Sequence, residues 1–169
     1  MGNLATRMRT DLQDWVDTDH RSDEKMHGRM LTVDGLDDAT IRHVLTTTRR
    51  IALVGASANP DRPSNEVLGF LVARGYAVTP INPGLAGQTL YNQTVVAGLD
   101  QTVPLEMVDL FRASDQVLAP VREAIGLGAR VIWMQLGVIN HEAAALAREA
   151  GLIVVMDRCP VIEIARLRL

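Results

Sequence analysis

Five short apolar runs, separated by segments with helical periodicity, limit the folds that this chain can adopt more than any other feature of its sequence. The runs are Ile51–Gly55, Ala77–Ile81, Met107–Phe111, Val131–Leu136 and Ile153–Met156. Most of their positions are apolar, rather than every second one, which is typical of strands whose two faces are both covered. The alternation of such strands with helices predicts an α/β fold around a parallel sheet.

Helices are predicted between the runs by periodicity and by capping residues. Asp37 can cap a first helix that has Ile41, Val44 and Leu45 on one face. The later helices are predicted over Ser64–Arg74 and Pro120–Leu127, from a cap at Asn140 to Ala150 and, as a short helix or tail, over Val161–Leu169. Right-handed crossovers through these helices predict a Rossmann-like, doubly wound parallel sheet of about five strands, with helices on both faces.

The N-terminal stretch differs in composition from the rest of the chain. Acidic and basic side chains are mixed there, and Trp15 is almost the only large apolar anchor. Such a segment buries little apolar surface, so we predict a mobile N-terminal arm over residues 1–36, with a short docking helix as the alternative. Residues 37–169 carry all the predicted strands and are expected to form one ligand-binding domain.

Composition and charge exclude several classes of function. The formal net charge is −3, so no general attraction to nucleic acid or to an anionic membrane is expected. The longest apolar run, around residues 131–139, contains Gln135 and is too short to span a bilayer. The single cysteine, Cys159, excludes an intrachain disulfide and a cysteine-based zinc cluster. Because the N-terminus shows no signal-peptide pattern, we expect a protein of the reducing cytoplasm.

The loop after the first strand has the residue types that a phosphate site needs. Gly55 allows a sharp turn and a close approach of ligand to backbone, and Ser57 adds a hydroxyl. Ser64 is expected to cap the next helix, whose free amides favour an anion, and Arg62 adds a cation beside them. The alternative is a loop that only turns the chain. Because parallel sheets bind ligands beyond their carboxyl ends, we predict a phosphate or pyrophosphate site here.

Departures from known nucleotide motifs narrow the choice of ligand. The dinucleotide fingerprint G-x-G-x-x-G requires glycine where this chain has Ser57 and Pro60. It also requires an acidic residue after the second strand to hold a ribose diol, and Asn82 and Pro83 stand there instead. NAD is therefore disfavoured, whereas a nucleotide with a phosphorylated ribose is allowed. The sequence has no P-loop motif, G-x-x-x-x-G-K-S/T, which excludes ATP hydrolysis of that class.

The later strand ends carry further candidate residues. Arg112, after the third strand, suits a phosphate contact, although an exposed loop arginine would look the same in sequence. Gln135 and Gly137, after the fourth strand, suit a close backbone approach by a ligand. Cys159 is either a buried small apolar side chain or a reactive thiol whose pKa the neighbouring Arg158 lowers.

Together these pieces resemble a known family. The matching segments are IALVGAS at 51–57, NPDRPS at 59–64, GY at 75–76, PINP at 80–83, VDLFR at 108–112, WMQLGV at 133–138 and VVMDRCP at 154–160. In order and spacing they are similar to those of the small stand-alone CoA-binding proteins. The domain of that family is similar to the CoA-binding domain of succinyl-CoA synthetase alpha subunits and of NDP-forming acyl-CoA synthetases. The resemblance covers about residues 37–163.

The resemblance implies a Rossmann-like domain that binds coenzyme A. The site residues it implies are Gly55, Ala56, Ser57, Arg62, Pro63, Ser64, Asn82, Pro83, Phe111, Arg112, Gln135, Gly137 and Cys159. The residues from 55 to 64 would face phosphate, Asn82 and Pro83 would line the nucleotide side, and the later strand ends would line the pantetheine arm. The phosphohistidine domain of the synthetases is not matched, so ligase chemistry is not implied.

Three functions stay open at this point. The first is a non-catalytic module that binds coenzyme A or an acyl-CoA, with a homodimer as one possible assembly. The second is a nucleotide-dependent oxidoreductase, or a ligase-associated subunit that acts with a partner. The third is an interaction protein that has lost its ligand and uses the segment around Trp15. A mixed disulfide between Cys159 and the CoA thiol is a further hypothesis within the first.

Overall fold

The apolar runs form a single parallel sheet in the computed structural model, which describes residues 32–169. Its strands are β1 (Arg50–Val54), β2 (Ala77–Ile81), β5 (Met107–Leu110), β6 (Val131–Met134) and β7 (Ile153–Val155). A separate two-stranded ribbon consists of β3 (Thr89–Leu90) and β4 (Gln93–Thr94). The five-strand order is β2-β1-β5-β6-β7, which confirms the predicted α/β, doubly wound parallel sheet.

The order of the strands creates a switch point between β1 and β5. The chain passes from β1 to β2 on one side and then returns to place β5 on the other side of β1. The carboxyl ends of β1 and β5 are paired there, with Val54 opposite Leu110. Helices that leave neighbouring strands in opposite directions open a crevice at such a point, and ligands of α/β proteins bind in it.

Helices cover both faces of this sheet. They are α1 (Asp38–Thr47), α2 (Pro63–Ala73), α3 (Leu118–Gly126), α4 (His141–Glu149) and α5 (Pro160–Arg166). Helix α5 contacts α1 and α2 on one side, and α3 contacts α4 on the other. The α3–α4 side buries a cluster that includes Val54, Val108 and Ile132 from the sheet and Val121 and Ala144 from the helices. Burial of this apolar surface is the main force that holds the layers together.

The structure confirms two predicted helix caps and explains one proline. The Asp37 carboxylate accepts a hydrogen bond from the Thr40 amide at 2.9 Å, and Asn140 accepts one from the Ala143 amide at the same distance. Pro80 lies within β2, which is the outer strand of the sheet. An outer strand tolerates a residue without an N–H because only one of its edges is paired within the sheet.

The structure corrects the boundaries of several elements. Helix α2 begins at Pro63 with Arg62 as its N-cap, so the prediction that Ser64 caps this helix was wrong. Ser64 lies inside the first turn and is 5% exposed. Strands β1, β5, β6 and β7 end one or two residues before their apolar runs do, because the last apolar residues already belong to the turns at the sheet edge.

The β3–β4 ribbon was not predicted from the sequence. It closes through Tyr91 and Asn92, which have φ of 48° and 61°. The predicted arm covers residues 1–36, and its residues 1–31 lie outside the described part of the chain. Among the helices of residues 32–169, none combines the length and the apolar character that crossing a bilayer requires.

Candidate functional site

A cavity of about 830 Å³ opens at the carboxyl edge of the sheet, over the switch point. Its walls include most of the predicted site residues: Gly55, Ala56, Ser57, Arg62, Pro63, Ser64, Asn82, Phe111, Arg112, Gln135 and Cys159. Further lining residues that we did not select from the sequence are Ala58, Asn59, Val67, Gly84, Leu85, Ala113, Leu136 and Val138. Most of these residues adjoin the predicted strand ends, which is the signal that could have found them.

Two of the predicted residues lie outside the lining of the cavity. Pro83 begins a short 3₁₀ turn, Pro83–Leu85, that carries the lining residue Leu85. Gly137 connects the loops that follow β5, β6 and β7. Its amide donates to Asp157 Oδ1 at 2.7 Å, and its carbonyl accepts from Ser114 Oγ at 3.2 Å. Each of the two residues is flanked in sequence by residues that line the cavity.

Gly55 allows the three loops at the switch point to meet. Its φ is 89°, and a Cβ at this position would collide with the carbonyl oxygen of Phe111, which follows β5. The amides of Gly55 and Ala56 both donate to the carbonyl of Ile81, at the end of β2, at 3.1 Å. A residue without a side chain is required here because the backbones of adjoining loops approach so closely.

Side-chain amides hold the loop after β1 at two carbonyls. Asn82 Nδ2 donates to the Ala56 carbonyl at 2.8 Å, and Asn65 Nδ2 donates to the Ser57 carbonyl at 2.8 Å. Ser57 Oγ accepts from the Asn59 amide at 3.1 Å, which leaves its hydroxyl proton available to donate to a ligand. Asn82 therefore supports the loop as well as lining the cavity, and Asn65 is a residue that the sequence analysis missed.

The start of α2 presents positive electrostatic potential to the cavity. Within residues 32–169 the Ser64 amide has no protein acceptor, and Pro63 at the first helical position has no N–H. Arg62 and Arg112 are both exposed, and neither makes an ion pair or side-chain hydrogen bond with the described part of the chain. A free helix amide and two unneutralised guanidinium groups around one cavity favour an anionic ligand.

One lining residue of the cavity, Gln135, belongs to a buried polar pair. Gln135 lines the floor and is 4% exposed, and its Nε2 donates to Asp109 Oδ1 at 2.8 Å. Asp109 lies in β5 and is fully buried, and its Oδ2 has no partner among the described residues. Burial raises the pKa of Asp109 to about 7, although the Gln135 hydrogen bond acts in the opposite direction. A lone aspartate in the otherwise apolar run at 107–111 was the sequence signal for this pair.

Cys159 lines the floor as a protonated thiol. It is 8% exposed, and burial raises its pKa to about 12, although the amides of Ile162 and Val161 donate to the sulfur and act in the opposite direction. Of the two interpretations of Cys159, the structure agrees with the buried side chain. The alternative in which Arg158 lowers this pKa is wrong, because burial raises the pKa and Arg158 Nη1 is paired with Glu163 Oε2 at 3.3 Å. A thiol with so high a pKa is a poor nucleophile at neutral pH.

Comparison with known proteins assigns this chain to a family. Residues 49–165 match the sequence model of the family described as CoA binding domain. Uncharacterized protein YneT of Bacillus subtilis (strain 168) is 35% identical over 121 residues, which are 72% of this chain and 89% of YneT. The region matched by the family model, residues 49–165, includes every residue of the cavity lining.

Solved structures share the same architecture. A hypothetical protein from Pyrococcus horikoshii OT3 is 39% identical, with a TM-score of 0.79 over 85% of this chain and 100% of that one. The Thermus thermophilus protein cell-free ID.343 is 34% identical, with a TM-score of 0.74 over 78% of this chain and 99% of that one. The fold described above is therefore one that related chains adopt over almost their whole length.

Proposed function

The chain belongs to the family of CoA-binding domains, and from this premise we propose that it binds coenzyme A or an acyl-CoA at the carboxyl edge of the sheet. In this proposal it is a binding module without catalytic residues of its own. The observation that carries the proposal is the arrangement of Arg62, Arg112 and the free Ser64 amide around one cavity of about 830 Å³. Such a cavity lies within the size range of small-molecule and cofactor sites.

The phosphate groups of coenzyme A suit the wall formed by the start of α2. Coenzyme A has a pyrophosphate and a 3′-phosphate at its nucleotide end, and each needs donors or cations. The proposal assigns the Ser57 hydroxyl, the Ser64 amide and the Arg62 guanidinium to these phosphates. Arg112 lies after β5, across the switch point from this group, and would contact a second phosphate.

The pantetheine arm and the thiol suit the opposite end of the cavity. Phe111 and Leu136 offer apolar surface there, and Gln135 offers an amide for the polar groups of the arm. Cys159 would face the thiol or thioester end as a neutral group. Joining the two sulfurs in a mixed disulfide would release two protons and two electrons to an added oxidant, and the protonated, buried state of Cys159 disfavours that step.

NAD fits this wall less well than coenzyme A. A carboxylate at the end of β2 would bind the ribose diol of NAD and would repel a ribose phosphate. Asn82 occupies that position, and its side chain is already engaged with the Ala56 carbonyl and the Gly84 amide. The proposal therefore favours the nucleotide that carries the ribose phosphate.

Two further parts of the proposal concern the setting of the protein. We place it in the cytoplasm, where the free thiol of Cys159 stays reduced.

Self-association is a prediction that light scattering coupled to size-exclusion chromatography measures directly. A ligase-associated role predicts that CoA binding strengthens in the presence of a partner subunit.

Isothermal titration with coenzyme A, dephospho-CoA and NAD, under reducing conditions, tests the proposal. We expect micromolar binding of coenzyme A, weaker binding of dephospho-CoA, and weaker binding of NAD. Arg62→Ala should weaken CoA binding about tenfold or more, since a hydrogen bond to a charged group contributes about 1.5–3 kcal/mol. Arg122→Ala is the matched control, because Arg122 is an exposed arginine on α3 outside the cavity. Absence of CoA binding alongside NAD binding would reject the proposal in favour of the oxidoreductase.

A further inference from the structure

The β3–β4 ribbon places Tyr91 against α2. The Tyr91 ring lies so close to Gly69 that a Cβ at Gly69 would come within 2.7 Å of the ring carbon Cζ. The side chain is 40% exposed and lies outside the lining of the cavity. Its backbone has φ of 48°, a region that bulky residues rarely adopt. A two-residue hairpin turn requires positive φ at both central residues, so the turn of the ribbon accounts for this conformation, and the contacts of the side chain are a separate observation.

Tyr91 is linked to the candidate phosphate loop by two hydrogen bonds in series. Its hydroxyl donates to Asn65 Oδ1 at 2.6 Å, and Asn65 Nδ2 donates to the Ser57 carbonyl at 2.8 Å. The carbonyl of Ser57 only accepts, so Nδ2 of Asn65 must face it and Oδ1 must face the tyrosine. Asn65 is 5% exposed, so water does not readily replace either partner.

The loop that this chain of bonds supports has few other contacts. All residues from 58 to 62 are exposed, and the hydrogen bonds of Asn59 and Asp61 are local ones within the loop. At its start the loop is joined to β2 by the Gly55 and Ala56 amides. Beyond these bonds, side chains hold it at the Ala56 carbonyl, through Asn82, and at the Ser57 carbonyl, through Asn65. A loop that is ordered before the ligand arrives loses less conformational entropy on binding.

We propose that Tyr91 is a positioning residue for the phosphate loop. It orients the Asn65 side-chain amide, and Asn65 in turn holds the Ser57 carbonyl in the conformation that the ligand requires. The inference rests on the proposed CoA site for its functional meaning. The effect on the loop itself belongs to the ligand-free protein and does not depend on the identity of the ligand.

Tyr91→Phe is the direct test, because it removes only the hydroxyl and keeps the ring on Gly69. Tyr76→Phe is a matched control, since the Tyr76 hydroxyl also donates one hydrogen bond, to the Leu45 carbonyl at 2.6 Å, and Tyr76 lies outside the cavity lining. We expect Tyr91→Phe to weaken CoA binding about threefold to tenfold, the effect of losing one ordinary hydrogen bond. Tyr76→Phe should leave the affinity within about twofold while both variants lose similar stability.

Nuclear magnetic resonance of the ligand-free variants separates this inference from the proposed function. Tyr91→Phe should shift the Ser57 carbonyl resonance and the Asn65 side-chain amide resonances, and Tyr76→Phe should leave them in place. Unchanged Ser57 and Asn65 resonances in Tyr91→Phe would overturn the inference, as would shifted resonances with unchanged CoA affinity. If the wild-type protein does not bind coenzyme A, the proposed function fails, and the same resonances still decide whether Tyr91 controls the loop.

Discussion

The Asp109 carboxylate, on the central strand of the parallel sheet, accepts a hydrogen bond at 2.8 Å from the side-chain amide of Gln135, a residue that lines the candidate ligand cavity. The other carboxylate oxygen, Oδ2, has no partner among the described residues, and the side chain is fully buried. Burying an ionised carboxylate is unfavourable, so burial stabilises the protonated form relative to the charged form. The pair therefore has two roles: Gln135 lines the cavity, and Asp109 makes the stability of the fold depend on pH.

Stability should fall as the pH rises from about 4 to above 7, because the pKa of Asp109 is about 7 in the folded protein and near 4 in an unfolded chain. Across that window the folded state binds the proton and the unfolded state does not, so deprotonation favours unfolding. The contribution of this one group has a slope of at most about 1.4 kcal/mol per pH unit. Urea unfolding at about pH 5 and pH 8 measures it.

Asp109→Asn is the control for that pH dependence, since asparagine has nearly the same shape and does not titrate. The variant should lose the fall in stability with rising pH that Asp109 contributes. An equal pH slope in the wild type and Asp109→Asn would show that Asp109 is already ionised in the folded protein.

Gly55→Ala should destabilise the fold by about 2–4 kcal/mol and abolish CoA binding. The new Cβ would meet the Phe111 carbonyl oxygen, and the backbone φ of 89° is unfavourable for alanine. Gly128→Ala is the matched control, because its φ is 83° and its Cβ would meet nothing within 4 Å. The control should lose only about 1 kcal/mol. Equal losses in thermal or urea unfolding would contradict a close contact between Gly55 and Phe111.

Asn82→Ala should weaken CoA binding about fivefold to tenfold, because the Ala56 carbonyl loses the donor that positions it. The stability of the fold should fall by about 1 kcal/mol. Asp37→Ala, which removes the α1 cap, should cause a similar loss of stability and leave CoA affinity unchanged. Calorimetric titration of the two variants, together with their unfolding curves, makes the comparison. Loss of affinity in both would mean that general stability, rather than the loop, controls binding.

Cys159 should react slowly with iodoacetamide in the native protein, since burial raises its thiol pKa to about 12. At about pH 8 we expect alkylation at least about a hundredfold slower than for an unperturbed cysteine, followed by intact mass. Unfolding in urea should restore the ordinary rate, and bound coenzyme A should slow the native reaction further. Rapid labelling of the native protein would revive the reactive-thiol hypothesis and, with it, the mixed disulfide.

Local sequence was enough to predict the strands, most of the helices and the set of loops that forms the cavity. Each apolar run specifies a strand covered on both faces, and parallel strands bring their carboxyl ends to one edge, so Gly55, Phe111 and Gln135 were expected to be neighbours. The cap of α2 was predicted wrongly. Serine is favourable as an N-cap and proline as the first helical residue, so the sequence alone does not decide whether the helix begins at Pro63 or after Ser64.

The partners of the polar side chains depended on the tertiary structure. Asn65 and Tyr91 are 26 residues apart, as are Asp109 and Gln135, and no local pattern relates either pair. The choice between the buried and the reactive interpretation of Cys159 also depended on tertiary structure, because burial raises its pKa and Arg158 is paired with Glu163. The sequence by itself determined which residues reach the ligand edge, because periodicity and capping act over a few residues. Only the tertiary structure decided which of them support one another, because hydrogen bonding and desolvation depend on contacts between distant segments.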